Sequence, residues 1–171
     1  NHRFSTYNIP PSVTSIGDSA FSDCSKLQSV ALPTSVTSIG KSAFSSCENL
    51  QSIRIPTSVT SIGDSVFYDC PNLQSITVES TNLYFASIEG ILFTQDLTTL
   101  IRFPLNHRFS AYNIPPSVTS ISNSAFYDCS KLQSITIPAS VTSIGDSAFY
   151  KCFNLKSITI PANVPSIGNS A

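Results

Sequence analysis

Apolar and polar residues follow a sequence motif along this chain that recurs every 23 residues. A typical copy reads Ile55-Pro-Thr-Ser-Val-Thr-Ser-Ile-Gly-Asp-Ser-Val-Phe-Tyr-Asp-Cys-Pro-Asn-Leu-Gln-Ser-Ile-Thr77. A fixed repeat of this length is typical of a solenoid, in which each coil buries its apolar side only against neighbouring coils. The copies begin at Ile9, Leu32, Ile55, Ile114 and Ile137, and a truncated copy begins at Ile160.

Within each copy, the segment Leu-x-x-Ile-x-Ile-Pro predicts a strand, as in residues 50–56. Apolar residues alternate over its second half, which is the pattern of a half-buried strand. One such strand per coil would stack into a parallel sheet on the concave side of the solenoid. The proline ends the strand because it has no N–H group to donate to the ladder.

The residues after this strand predict a sharp corner and a short turn on the convex side. We expect positive φ at the glycine of the corner, because glycine adopts it without steric cost. The following Ala-Phe-x-x-Cys stretch is long enough for one helical or 3₁₀ turn. Its aromatic rings should stack along the solenoid axis. The glycines are Gly17, Gly40, Gly63 and Gly145, and the rings are Phe21, Phe44, Phe67, Phe126 and Phe149.

One coil is longer than the others and is predicted to carry a β-hairpin. From Val78 to Ile114 the chain advances 36 residues, thirteen more than a plain repeat. The apolar runs 88–93 and 98–103 are joined by a short polar link, which is typical of a hairpin. We therefore interpret residues 1–171 as one solenoid fragment with a hairpin-bearing coil at 78–113. Its coils start near residues 9, 32, 55, 78, 114, 137 and 160.

The assembled repeat, Ile-Pro-x-x-Val-x-x-Ile-Gly-x-x-Ala-Phe-x-x-Cys-x-x-Leu-x-x-Ile, closely resembles the BspA-like leucine-rich repeat family. The segments 90–93 and 100–104 also resemble interludes that are common in that family. The resemblance implies a leucine-rich repeat solenoid from a secreted or surface protein of bacteria or parasitic protists, often involved in adhesion to host proteins. It implies no enzymatic activity, and a shared fold does not specify a partner.

Charge and hydropathy argue against two classes of partner. Nine basic and ten acidic residues leave a net charge of −1, so no basic surface points to nucleic acid. Ser, Thr or Pro interrupts every apolar stretch, and we expect no membrane insertion in this fragment. The chain begins at Asn1 and contains no methionine, which favours a piece of a longer protein.

The residues that could carry chemistry do not form a recognisable site. The five cysteines share one repeat position, and they could be buried free thiols, disulfides between coils, or metal ligands. Cysteines spaced by whole repeats form a line, whereas zinc needs converging ligands, so a ladder of buried thiols fits best. His2 and His107 are copies of one position without a nearby carboxylate. We predict no enzyme, no metal and no cofactor. The cysteines are Cys24, Cys47, Cys70, Cys129 and Cys152.

A binding surface is expected on the outward positions of the strands and in the hairpin coil. The strand positions either only solvate the sheet or form a weakly polar contact strip for a protein or glycan, with Arg54 as its charged anchor. The concave candidates are Ser52, Arg54, Ser75, Thr77, Asn113, Thr136 and Thr159, and the candidates in the hairpin coil are Tyr84 and Arg102.

The sequence thus predicts a noncatalytic adhesion module that is extracellular or at the cell surface. Two alternatives stay open. The coils could be a structural spacer that presents another domain, or they could belong to an intracellular leucine-rich repeat interaction module, which reduced cysteines would suit.

Overall fold

The computed structural model describes residues 5–171, so His2 lies outside the described residues. The chain winds into a solenoid in which a plain coil contributes two short parallel strands, one on each side of the proline turn. The concave set comprises β1 (Thr6–Asn8), β3 (Ser29–Ala31), β5 (Ser52–Ile55), β7 (Ser75–Val78), β11 (Ala111–Asn113) and β13 (Ser134–Thr136). The second set comprises β2 (Ser15–Ile16), β4 (Ser38–Ile39), β6 (Ser61–Ile62), β12 (Ser120–Ile121) and β14 (Ser143–Ile144).

The concave strands pair in parallel with the strand one repeat away, which confirms the predicted sheet. Ile53 lies opposite Ile76, and Arg54 lies opposite Thr77. The sheet consists of three separate pairs, β1 with β3, β5 with β7, and β11 with β13. The last predicted strand, around residues 157–160, does not form, so Thr159 is not a strand residue.

The second strand of each coil was not predicted from the sequence. Each consists of the Ser-Ile pair after the proline turn, with the isoleucine directed inward, as for the buried Ile39. The preceding threonines connect the coils as well, because the Thr37 hydroxyl donates to the Thr14 carbonyl (3.1 Å) and Thr60 repeats this bond to Thr37 (3.2 Å). The row of hydroxyls therefore satisfies backbone carbonyls at a solenoid corner.

Consecutive hydrogen-bonded turns build the convex side, and residues 5–171 contain no helix. Ser19 and Asp23 have φ of 55° and 58°. Each is the third residue of a four-residue turn, and the turns close through the N–H groups of Ala20 and Cys24, both at 3.2 Å. Between these turns the Phe21 N–H donates to the Ala43 carbonyl of the next coil (2.8 Å). The predicted helical turns are not confirmed, since this backbone bonds to its neighbours instead.

The corner glycines allow adjacent coils to approach closely, and our expectation of positive φ at these positions was wrong. Among the described glycines only Gly90 has positive φ. A Cβ atom on Gly63 would lie 2.6 Å from the Lys41 nitrogen, and one on Gly145 would lie 2.5 Å from the Asn123 nitrogen. Gly17, in the first coil, would meet nothing within 4 Å. The repeat therefore requires glycine because the backbone of the preceding coil occupies the space of a side chain.

The long coil contains a three-stranded antiparallel meander, β8 (Phe85–Ile88), β9 (Ile91–Thr94) and β10 (Thr99–Arg102). The predicted hairpin corresponds to β9 and β10 and is confirmed. Strand β8 was not predicted from the sequence. It joins β9 through a two-residue turn whose residues Glu89 and Gly90 both have positive φ, 53° and 86°. Such a turn matches the twist of a hairpin. At its other edge β10 pairs in parallel with β12 and so joins the second set of strands.

The buried apolar residues form two clusters that meet at the meander. In β9, Leu92 belongs to the first cluster, whereas Ile91 and Phe93 belong to the second. The predicted aromatic stack is present in two parts, with the unpredicted Phe103 as a member of the second. Ring centroids are 5.2 Å apart for Phe21–Phe44, 6.0 Å for Phe44–Phe67, 5.2 Å for Phe103–Phe126 and 5.1 Å for Phe126–Phe149.

The backbone ladders between coils are interrupted at the same place, which we call the seam: residues 62–68 on one side, and 92–102 with 122–124 on the other. In the described part of the chain, β6 pairs with β4 but not with β10. On the convex side, the Phe44 N–H donates to the Val66 carbonyl (3.0 Å), but the N–H groups of Ser65 and Phe67 have no acceptor among residues 5–171. The meander therefore separates the solenoid into two hydrogen-bonded stacks.

Candidate binding surfaces

The concave candidates form a flat strip of small polar side chains. All are exposed except Ser75, which is half-buried. The Arg54 side chain is 73% exposed, yet its Nε lies 3.2 Å from Oε1 of Glu79. Glu79 is itself held by the Thr57 N–H, which donates to Oε2 (3.2 Å). The only charged group of the predicted strip is therefore largely compensated, which leaves a nearly neutral surface.

An exposed apolar surface lies where the chain enters the meander. Leu83 is 79% exposed and Tyr84 is 51% exposed, and both line a shallow groove with Thr94, Gln95 and Asp96. We call Leu83, Tyr84, Gln95 and Asp96 the hairpin patch. Of its members, only Tyr84 was a candidate from the sequence. Leu83 was not predicted. An apolar residue in the turn Thr-Asn-Leu-Tyr, outside the repeat pattern, could have indicated an exposed contact residue.

A buried asparagine fixes the hairpin patch to the solenoid. The Asn82 Nδ2 donates to the carbonyls of Pro56 (2.8 Å) and Val59 (3.0 Å) in the third coil. Its Oδ1 accepts the N–H groups of Tyr84 (2.8 Å) and Phe85 (2.9 Å). Both donors and both acceptor lone pairs of this amide are therefore used. The two exposed residues are therefore presented by a rigid turn, which reduces the entropy lost on binding.

Arg102 does not contribute to an exposed surface, which corrects the sequence interpretation. Its exposed fraction is 5%, and its Nη1 donates to the Ser124 carbonyl, whereas Nε and Nη2 have no hydrogen-bond partner. Burial lowers the pKa of its guanidinium. Strand alternation explains the placement, because Leu100 and Arg102 lie two residues apart on β10 and both point inward. The leucine two residues before Arg102 was the sequence feature that could have predicted its burial.

The five cysteines are free thiols in the described structure and follow the convex turns as a ladder. Four of them donate to a phenylalanine carbonyl 26 residues earlier: Cys47 to Phe21 (3.1 Å), Cys70 to Phe44 (3.1 Å), Cys129 to Phe103 (3.7 Å) and Cys152 to Phe126 (3.0 Å). This arrangement supports the interpretation of the cysteines as small buried side chains with weak donors.

Alkaline pH should destabilise the solenoid through these thiols. Burial raises the pKa of Cys70 from 9.0 to about 11. The fold stabilises the neutral thiol, so this contribution is complete below pH 9 and is lost as the pH rises through about 11. Between about pH 8 and pH 11, we expect the free energy of unfolding to fall about 2 kcal/mol further in wild type than in Cys70→Ser. Urea unfolding at both pH values measures this, and equal losses in the two proteins would contradict it.

Three tyrosines cover the seam on the convex side. The ring centroids of Tyr68 and Tyr127 are 4.2 Å apart, and those of Tyr127 and Tyr150 are 5.7 Å apart. The Lys151 Nζ lies 5.4 Å from the centre of the Tyr127 ring. Tyr68 belongs to the third coil and Tyr127 to the coil after the meander, so this stack connects the two halves of the solenoid. Its central member is buried, which leaves little of the stack for a ligand.

Comparisons with solved structures place the fold among bacterial leucine-rich repeat proteins. A leucine-rich cell surface protein from Faecalibacterium prausnitzii is 32% identical, with a TM-score of 0.79 over 95% of this chain and 49% of that protein. A leucine-rich repeat protein from Eubacterium ventriosum is 28% identical, with a TM-score of 0.67 over 96% of this chain and 56% of that one. The pneumococcal vaccine antigen PcpA is 25% identical, with a TM-score of 0.68 over 96% and 58%.

The chain therefore spans roughly half of each of these proteins. No curated protein sequence matches it. Among residues 5–171, no helix is long and apolar enough to cross a membrane. The family model for the BspA type leucine-rich repeat region matches in six copies, over residues 1–108 and 102–171. The repeat, the solenoid and this match together show that the chain belongs to the BspA type leucine-rich repeat family.

Proposed function

We propose that this chain is a noncatalytic protein-binding module of a secreted or cell-surface protein, and that the hairpin patch is its main contact. The observation that carries the proposal is the pair of exposed side chains Leu83 and Tyr84, held outward by the buried amide of Asn82. An aromatic and an aliphatic anchor with a polar rim is the composition of a protein-binding hot spot. The description of the Faecalibacterium prausnitzii relative as a cell surface protein supports the location.

The concave strip is proposed as a second, weaker part of the same interface. Ser52, Arg54, Thr77, Asn113 and Thr136 offer hydrogen-bonding groups but little apolar area. The Arg54–Glu79 ion pair is solvent-exposed, and such pairs contribute little binding energy. The strip therefore adds orientation and specificity to a contact whose affinity comes from the hairpin patch.

Binding of labelled chain to a panel of immobilised matrix proteins and to intact host cells tests the proposal. A Leu83→Ser, Tyr84→Ser double variant should bind at least about tenfold more weakly than wild type. The matched control is Tyr150→Ser, which removes an exposed tyrosine from the convex side and should bind like wild type. An Arg54→Glu variant should lose only about two- to threefold, because its charge is already compensated.

Two outcomes would count against the proposal. Equal binding by wild type and the double variant would exclude the hairpin patch. Absence of binding to every protein and cell type by wild type would argue for the spacer alternative instead.

A further inference from the structure

A cavity of about 240 Å³ lies at the seam, between the third coil and the meander. Its lining includes the apolar side chains of Ile62, Leu92 and Ile101. Two charged residues also line it, the exposed Asp64 and the buried Arg102. The cavity is therefore lined by both apolar and polar groups, with a single cation in its wall.

The Arg102 guanidinium has unused hydrogen-bonding capacity. Only Nη1 has a partner, the Ser124 carbonyl, whereas Nε and Nη2 are buried without one. These two nitrogens share one edge of the guanidinium, and that edge can hold two oxygens of a carboxylate. Neither ion pair found among residues 5–171 includes Arg102. An arginine side chain remains charged even when buried, so an anionic partner would relieve a substantial desolvation penalty.

Backbone donors on the facing wall have the same unused capacity. In the first two coils, the N–H groups of Phe21 and Phe44 donate along the solenoid axis to the next coil, at 2.8 and 3.0 Å. In the third coil, the equivalent N–H group of Phe67 has no acceptor in the described part of the chain, and neither does the N–H group of Ser65. Both residues line the cavity. Because the repeat directs these groups toward the following coil, they point into the seam. Unused donors therefore belong to both walls of this space.

We infer that the cavity binds a small monocarboxylic acid. Its carboxylate is held between the free edge of Arg102 and the N–H groups of the third coil, and its hydrocarbon part lies against Ile62 and Leu92. The volume corresponds to about eight water molecules at roughly 30 Å³ each, which accommodates benzoate or a short aliphatic acid. Since both free nitrogens are buried, binding requires the guanidinium to turn toward the entering anion, a movement that its bond to Ser124 opposes.

The charge of the lining favours a monoanion over sulfate or phosphate. One guanidinium balances one carboxylate, and the carboxylate of Asp64 lies on the same cavity and repels a second negative charge. The cavity shares Thr94 with the groove beside the hairpin patch, but none of the groups proposed to hold the carboxylate belongs to that patch. The inference therefore does not depend on the proposed binding function.

Calorimetric titration with sodium benzoate tests the inference, with benzamide as the neutral isostere and sodium sulfate as the dianion. Benzoate should bind wild type and raise its melting temperature, whereas benzamide and sulfate should not. Arg102→Met should weaken benzoate binding at least about tenfold, because it removes the charge while keeping a long side chain. The control is Arg108→Met, which removes an exposed arginine paired with Glu89 and should bind benzoate like wild type.

Benzamide binding as tight as benzoate binding, or undiminished binding by Arg102→Met, would overturn the inference. Sulfate binding tighter than benzoate would overturn the choice of a monocarboxylate. If Arg102→Met does not fold, Ile62→Phe fills the cavity from the opposite wall without altering the guanidinium. That variant should lose benzoate binding, and full retention would equally contradict the proposed site.

Discussion

Gly63→Ala is expected to lower the free energy of unfolding by about 3 kcal/mol, whereas Gly17→Ala should leave it unchanged or raise it by up to about 1 kcal/mol. The added methyl group at position 63 would lie 2.6 Å from the Lys41 nitrogen and 2.9 Å from the Gly40 carbonyl carbon. Both are backbone atoms, so no side-chain rotation relieves the overlap. At position 17 the same methyl group meets nothing within 4 Å.

Urea unfolding followed by circular dichroism gives both values, and the pair of variants isolates the effect of the preceding coil. The substitution is chemically identical at two equivalent repeat positions, and neither glycine has positive φ. Losses of similar size in the two variants would show that glycine is required for its backbone conformation and not for close packing of the coils.

Phe126→Ala should destabilise the fold by about 3 to 5 kcal/mol, which is the cost of removing a fully buried phenylalanine. The ring is inaccessible to solvent and lies between Phe103 and Phe149, at 5.2 and 5.1 Å. Removing it leaves a void in the second apolar cluster and also deletes three aromatic contacts, since the Tyr112 ring lies 6.4 Å away. Because solenoid coils stabilise only their neighbours, the damage should be concentrated in the coils after the meander.

The matched control is Phe153→Ala, since Phe153 is 79% exposed and should contribute less than about 0.5 kcal/mol. Denaturant unfolding measures both variants, and hydrogen exchange of backbone amides locates the destabilised coils. A loss below about 1 kcal/mol for Phe126→Ala would show that the aromatic stack is not a main source of stability.

The repeat period made most of the architecture predictable, because each coil must bury its apolar positions against an almost identical neighbour. The concave strands and the aromatic stack followed from that single constraint, whereas the hairpin followed from the thirteen residues that exceed it. The corner glycines were misinterpreted because a glycine that recurs at one repeat position has two physical explanations, positive φ and close approach of a neighbouring coil. Only the neighbouring coil distinguishes them. Ser19, which carries the positive φ, gives no such signal, since serine is common throughout the repeat.

The candidate sites were less predictable because they depend on departures from the repeat. Alternation along Leu100-Ile-Arg102 places the arginine at an inward position. This placement can be recognised from the sequence only when the strand and its buried face are already known. The unpaired N–H groups of Ser65 and Phe67 have no sequence signature at all. Their residue types match those of other coils, and what differs is the absence of an ordinary coil beside them.

The interrupted ladders at the seam also determine how this solenoid would respond to tension. In most coils, rows of hydrogen bonds between successive turns must break together when the ends are pulled apart. At the seam the connections are fewer and local. They include the Tyr68–Tyr127 stack, the backbone bonds from Ile76 to Gly90 and from Asn106 to Leu73, and the two amide bonds of Asn82. When the ends are pulled apart, the two stacks would separate at the seam first. Each half would stay folded, and extension of the meander would lengthen the molecule.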